Sequence, residues 1–184
     1  IDDYEDFGFT LHLIDNTLVF SRIDEKVKTF QLEKYGLSGI VNETVRQFKS
    51  LMEEKSQTIN TDLEENLPEV LVDPEALTLA LFNLLDNAVK YSEKQTQIDV
   101  RLYKNDGFVC VEVEDRGVGI PRKDHGRVFE KFYRVQPGDG KKIPGSGIGL
   151  TLVNEIVTAQ NGKVELQSEL GVGSTFRIML PLGG

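Results

Sequence analysis

The chain has 184 residues, 39% hydrophobic and 28% charged, and carries a net charge of −9 at pH 7. That balance excludes a disordered or membrane-spanning chain, and the acidity excludes nucleic acid or an anionic lipid surface as the main partner. Its single cysteine, Cys110, rules out an intrachain disulfide framework or a cysteine-rich metal site.

The longest apolar runs, such as Leu79 to Leu85 interrupted by Asn83, fall well short of the roughly 20 residues a spanning helix needs. Ile1 stands where an initiator methionine would, so the sequence is expected to begin partway through a longer protein. A cytoplasmic location is expected, with membrane anchoring of the longer protein left open. Tyr4, Phe7, Leu11, Ile14 and Leu18 recur at alternating steps of three and four, the seam of a helix that packs against other helices. Such a helix either dimerises or folds onto its own domain. A boundary is expected near Lys26 to Glu33, dividing a helical segment, 1–28, from a main domain, 29–184.

A second helix is predicted from Ser38, as N-cap, through Ile40, Val41, Val45, Phe48, Leu51 and Met52. Gln57 to Leu63 alternates as a strand does, and Val70 to Val72 is a short apolar run closed by Asp73-Pro74. Asp73 as N-cap, Pro74 at the first helical position and Glu75 behind it predict a helix that reaches about Ser92. Two strands follow, Ile98 to Tyr103 and Phe108 to Glu114, joined by the hairpin turn Asn105-Asp106-Gly107. Cys110 reads as a buried strand residue. A long irregular stretch, Asp115 to Gly149, holds one short helical pattern at His125 to Phe132. Leu150 to Ala159 reads as a helix closed by Asn161-Gly162, and the chain ends in a hairpin, Lys163 to Ser168 and Thr175 to Leu180.

Chemistry gathers in three stretches. On the helix from Pro74, the residues Asn83, Asn87, Lys90 and Tyr91 line one edge, apart from the apolar face of Leu77, Leu81, Leu84, Leu85 and Ala88. Asparagine is a poor helix former, and a neutral amide oxygen suits Mg²⁺ whose charge is balanced by substrate phosphates; a solvated helix surface is the plain alternative. Lys90 adds a point charge for a phosphate. Asp115-Arg116-Gly117-Val118-Gly119-Ile120 leaves a strand, where a carboxylate accepts from an exocyclic amino group such as adenine N6, or where the chain simply turns. Gly145-Ser146-Gly147-Ile148-Gly149-Leu150 opens a helix whose amides form a phosphate site, without the dinucleotide or P-loop spacing. The loop Gln136 to Pro144 before it reads as a lid over phosphates or as a plain surface loop.

The order of five stretches is more specific than any one of them: Asn83 to Tyr91, Asp115 to Gly119, Phe129 to Arg134, Gly145 to Leu150 and Gly171 to Phe176. This series resembles the N box, first glycine box, F box, second glycine box and final glycine motif of the catalytic domain of sensor histidine kinases. Asp15 to Ile23 also resembles the end of the second dimerisation helix of that family.

The resemblance implies an α+β fold: a two-layer sandwich with a mixed, mostly antiparallel sheet under a layer of helices, shared with gyrase-type and heat-shock chaperone ATPases. It implies ATP as substrate and Mg²⁺ as cofactor, with Asn87 ligating the ion and Asn83 assisting. Lys90 and Tyr91 would line the nucleotide, and Asp115 would receive adenine N6 between Gly117, Gly119 and Ile120. Gly145, Ser146, Gly147, Ile148, Gly149 and Leu150 would meet the phosphates, with Arg134 near the γ-phosphate or bracing the lid. Ser174 or Thr175 would add a contact near the base, while Phe129 and Phe132 would pack the root of the lid. The implied catalytic set is Asn87, Lys90 and Arg134.

The implied partners are the protein's own dimerisation and histidine-phosphotransfer domain and a response-regulator receiver domain, in a homodimeric parent. The phosphoacceptor segment is missing, because neither His12 nor His125 sits in the family's acceptor pattern. The chain is thus expected to bind ATP without phosphorylating itself. Two other readings stay open: an ATPase or serine-directed kinase on the same fold, with Asp86 near the water-activating position, and a non-enzymatic nucleotide-binding module.

Overall fold

The structure, a computed structural model, describes residues 30–51, 57–92, 96–135 and 145–183. The stripe from Tyr4 to Leu18, His12, the 28/29 boundary, Met52 and the loop 136–144 lie outside the described residues.

In chain order the elements are β1 (Glu33–Tyr35), α1 (Leu37–Leu51), β2 (Thr58–Leu63), β3 (Val70–Val72), α2 (Pro74–Tyr91), β4 (Gln97–Asn105), β5 (Phe108–Asp115), α3 (Gly149–Ala159), β6 (Lys163–Glu169) and β7 (Gly173–Pro181). Five strands form one sheet in the order β2-β4-β5-β7-β6. β2 runs parallel to β4 and every other pairing is antiparallel. Alternation decides which face is covered. Ile98, Val100 and Leu102 of β4, Val109, Val111 and Val113 of β5, and Phe176, Ile178 and Leu180 of β7 point one way and are buried under the helices. Leu77, Leu81, Leu84, Leu85 and Ala88 of α2 meet them, with Ile40, Val41, Val45 and Phe48 of α1 on one side and Leu152, Val153, Ile156 and Val157 of α3 on the other. The architecture is thus an α+β sandwich of a mixed sheet and one helical layer.

The opposite face of the sheet is polar. There Glu112, buried, accepts from Tyr103, Arg101 and Arg177.

Local chemistry fixes the ends of the elements that carry the site. Asp73, in extended conformation, accepts from Ala76 N at 3.0 Å through Oδ1 and caps α2, with Pro74 at its start. The other oxygen of Asp73 accepts from Gln31 N at 3.1 Å. Asp73→Ala removes both bonds, so a loss of about 1–2 kcal/mol in stability is expected from the midpoint of denaturant unfolding. α3 ends in a Schellman motif: Asn161 takes φ +58°, its amide bonds Thr158 O, and Gly162 N bonds Val157 O at 2.9 Å. Asp106 and Gly107, at φ +42° and +83°, make the tight turn between β4 and β5.

Two readings of the sequence need correction, and one strand was not foreseen. α1 starts at Leu37, so Ser38 lies inside its first turn and does not precede it. Glu33–Tyr35 pairs antiparallel with Val70–Val72 as a two-stranded sheet, which three exposed residues without apolar alternation did not announce. The pattern at His125 to Phe132 is not a regular helix. A single 3₁₀ turn, Arg122–Asp124, precedes a run of turns in which Asp124 O accepts from both Arg127 N and Val128 N.

Candidate functional site

Three segments distant in sequence meet at one end of the sheet: the last turns of α2, the exit of β5 and the start of α3. Val118 N donates to Tyr91 O at 3.0 Å, which lays the β5 exit across the C-terminal end of α2. Asp115 ends β5 opposite Ser174 of β7. Its Oδ1 accepts from Gly117 N at 2.8 Å and from Ser174 N at 3.3 Å, leaving Oδ2 without a hydrogen bond among the described residues. Burial pushes the Asp115 carboxyl up to about 6, against the two amide bonds, which lower it. Asp115 is thus a buried residue whose second carboxylate oxygen is left to accept from a partner outside the chain.

Gly119 closes the exit turn. At φ +66° it lies flat on the end of β6, where a Cβ would fall 2.0 Å from Glu169 O. Ile120 N donates to Ser168 Oγ at 2.8 Å, and Gly171 N donates to Val118 O at 2.8 Å. The turn is therefore held on both sides. His125 Nε2 lies 2.9 Å from Ile120 O, so this histidine braces the turn.

On α2, Asn83 is buried and its Nδ2 donates to Leu79 O, which directs Oδ1 toward α3; a Cβ on Gly149 would lie 2.9 Å from that oxygen. Only glycine lets the start of α3 approach Asn83 so closely. Asn87, one turn on and half-buried, makes no side-chain hydrogen bond among the described residues. Lys90 Nζ pairs with Asp86 Oδ2 at 2.5 Å, one turn apart on α2. Among the described residues no cluster of three or more His, Cys, Asp or Glu side chains could hold a metal. A cation here would rest on neutral amide oxygens.

At the start of α3, Ile148 occupies the N-cap position with no side-chain cap. The amides of the first turn, from Gly149 on, thus have no partner of the kind Asp73 gives α2. Two hydrogen bonds join the described segments 129–135 and 145–150: Phe132 N donates to Gly147 O at 3.1 Å, and Arg134 Nη1 donates to Gly145 O at 2.9 Å. Ser146 Oγ accepts from Ile148 N at 3.4 Å.

The profile of the family described as histidine kinase-, DNA gyrase B-, and HSP90-like ATPase matches residues 72–184, from the last residue of β3 onward. The chain belongs to this family. Sensor protein RprX of Bacteroides fragilis is 32% identical over 171 residues, which is 92% of this chain and 33% of that protein. Sensor-like histidine kinase SenX3 of Mycolicibacterium smegmatis is 32% identical over 169 residues, covering 92% of this chain and 44% of that one. The chain therefore spans a third to under half of the length of these relatives. Among solved structures, full-length ShkA in complex with AMPPNP is 26% identical with a TM-score of 0.80, covering 96% of this chain and 37% of that one. The mycobacterial sensor histidine kinase MprB is 27% identical with a TM-score of 0.70 over 82% of this chain and 97% of that chain. Within the ATPase family, the relatives that this chain resembles over nine-tenths of its length include a sensor protein and a sensor-like histidine kinase. No helix among the described residues is long and apolar enough to cross a membrane.

Most residues read from the kinase-type motifs come together: Asn83, Asn87, Lys90 and Tyr91 on α2, Asp115 to Ile120 at the β5 exit, Gly145 to Leu150 at α3, and Ser174 beside Asp115. Thr175 does not. It pairs with Glu114, one step along β7, and alternation sets it on the polar face of the sheet, away from Asp115. Phe129 packs on the core and edge-on to Phe176, with ring centroids 6.4 Å apart. Phe132 is different: 67% exposed at φ +62°, it serves through its backbone bond to Gly147 and not through packing. Ser168 was missed. A serine in a strand carries no sequence signal, and only the fold places it under the β5 exit.

Proposed function

We propose that this domain binds ATP with Mg²⁺ between α2, the β5 exit and α3, and supplies its γ-phosphoryl group to a histidine on the dimerisation domain of the longer protein. The observation that carries this reading is the convergence of a spare carboxylate oxygen on buried Asp115, two neighbouring amide side chains and an uncapped helix start around one site. Asp115 Oδ2 accepts the adenine amino group, and the backbone of Gly117, Gly119 and Ile120 flanks the base with Ser174 and Tyr91. Amides of the segment from Gly145 to Leu150, with Ser146, meet the phosphates at the positive end of α3. Asn87, with Asn83 assisting, would hold Mg²⁺ through neutral oxygens while the nucleotide balanced its charge, and the ion would supply neutralisation of negative charge on the phosphates. Lys90 exchanges Asp86 for a phosphate oxygen, and Arg134, anchored on Gly145, stands at the γ-phosphate end. Catalysis is then positioning and charge neutralisation, with the acceptor histidine, its dimeric scaffold and the response-regulator receiver lying outside this chain.

Calorimetric titration with non-hydrolysable ATP and GTP analogues, with and without Mg²⁺, is expected to show adenine-selective binding strengthened by the ion. Asn87→Ala should lower the Mg²⁺-dependent affinity at least about tenfold, the loss of a ligand to a hard cation and its charge-assisted contacts. Mixing the chain with the separate dimerisation domain and labelled ATP should produce acid-labile phosphate on that domain. Absence of acid-labile phosphate, with ATP bound, would refute the transfer reaction and leave a nucleotide-binding module.

A further inference from the structure

We propose that Ser168 is a specificity-positioning residue of the adenine end of the site, acting through Ser174 and Ile120 without touching the nucleotide. The inference rests on the nucleotide reading above. Ser168 stands directly opposite Ser174 across the β6-β7 pair. Its hydroxyl has three neighbours: Gly173 O at 2.8 Å, Ile120 N at 2.8 Å and Ser174 Oγ at 3.0 Å.

A hydroxyl has one proton and two lone pairs, and these neighbours fix how all three are used. Gly173 O can only accept, so it takes the Ser168 proton. Ile120 N–H can only donate, so it takes one lone pair. The remaining lone pair receives the Ser174 hydroxyl proton. Ser174 is then left with lone pairs alone, beside Asp115, whose free Oδ2 is also an acceptor. The polarity of this rim is therefore set from behind, by a residue one strand away. An acceptor-only rim suits the amino group on the six-position of adenine and opposes the six-oxo group of guanine. The same hydroxyl pins Ile120 N, and with it the turn whose Gly119 lies on Glu169.

Loss of the hydroxyl frees the Ser174 proton to rotate and orphans the Ile120 amide. Wild type should bind an ADP-type over a GDP-type nucleotide, and Ser168→Ala should lower that ratio about five- to tenfold, the effect of one hydrogen bond redirected. Ser168→Thr, which keeps the hydroxyl, should restore the ratio. Hydrogen exchange at the Ile120 amide should quicken in Ser168→Ala and not in Ser168→Thr, with or without nucleotide. Should alanine cost the fold, Ser168→Cys, a weaker acceptor of similar shape, serves in its place and should give the same direction of change. Asp115→Asn separates the two levels of the argument. Wild-type selectivity kept in Ser168→Ala but lost in Asp115→Asn would overturn the role of Ser168 and keep the nucleotide site. A wild type that binds neither nucleotide would overturn both, and faster Ile120 exchange in Ser168→Ala would then report only on the structure of the turn.

Discussion

Asp115→Asn is expected to lower affinity for an ATP analogue about 30- to 100-fold while making the nucleotide-free protein more stable at pH 8. The two effects have one cause. Asparagine keeps Oδ1 for the amides of Gly117 and Ser174 but replaces the spare oxygen with an N–H donor, which opposes the adenine amino group. Stability runs the other way. The Asp115 carboxyl is raised in the fold to about 6 from an ordinary 3.8, because burial disfavours the charged form. Stability carried by the protonated group is therefore full below about 3.8 and is lost as the pH rises through about 6. On the order of 1–3 kcal/mol disappears across that window, and the uncharged variant should not lose it. Denaturant unfolding of both proteins at pH 4 and pH 8 checks the sign: near-equal stabilities at the lower pH, the variant ahead at the higher. Nucleotide recruits the carboxylate, so the carboxyl carbon shift of Asp115 should titrate near 6 in the free protein and lower in the complex. A variant that binds ATP as wild type does would dismiss Asp115 as the adenine acceptor.

This arrangement explains why so much of the site was legible in the sequence and why particular parts were not. Motif residues whose role depends on local geometry announced themselves. Asp73-Pro74-Glu75 marks a helix start wherever it occurs, and Asn83, Asn87 and Lys90 share a helix edge by periodicity alone. The β5 exit and the start of α3 were legible for the same reason, since glycines mark close backbone approach. Residues whose role depends on pairing across strands stayed hidden. Ser168 acquires its neighbours only when β6 lies beside β7 and the β5 exit folds over both. Thr175 was misplaced by the same gap, because one step of register separates the face of Asp115 from the polar face. Phe132 misled through its residue type: an aromatic side chain suggests packing, yet its left-handed backbone and its bond to Gly147 do the work.

Glycine offers the sharpest separation of backbone strain from close approach, because this fold contains both in nearly the same conformation. Gly107 at φ +83° has nothing within 4 Å of a would-be Cβ, whereas Gly119 at φ +66° would place one 2.0 Å from Glu169 O. Gly107→Ala should therefore cost only the left-handed penalty, about 1 kcal/mol. Gly119→Ala carries that penalty and must also lift the turn from β6, for a total of about 3–4 kcal/mol. Lifting the turn stretches Ile120 N from Ser168 Oγ and Gly171 N from Val118 O, so nucleotide affinity should fall with stability in this variant. Denaturant unfolding and nucleotide titration of the two proteins side by side isolate the steric term. Equal losses in both would mean that the turn yields freely at Glu169, and the rigidity assigned to the base-flanking wall would have to come from its hydrogen bonds to Ser168, Gly171, Tyr91 and His125.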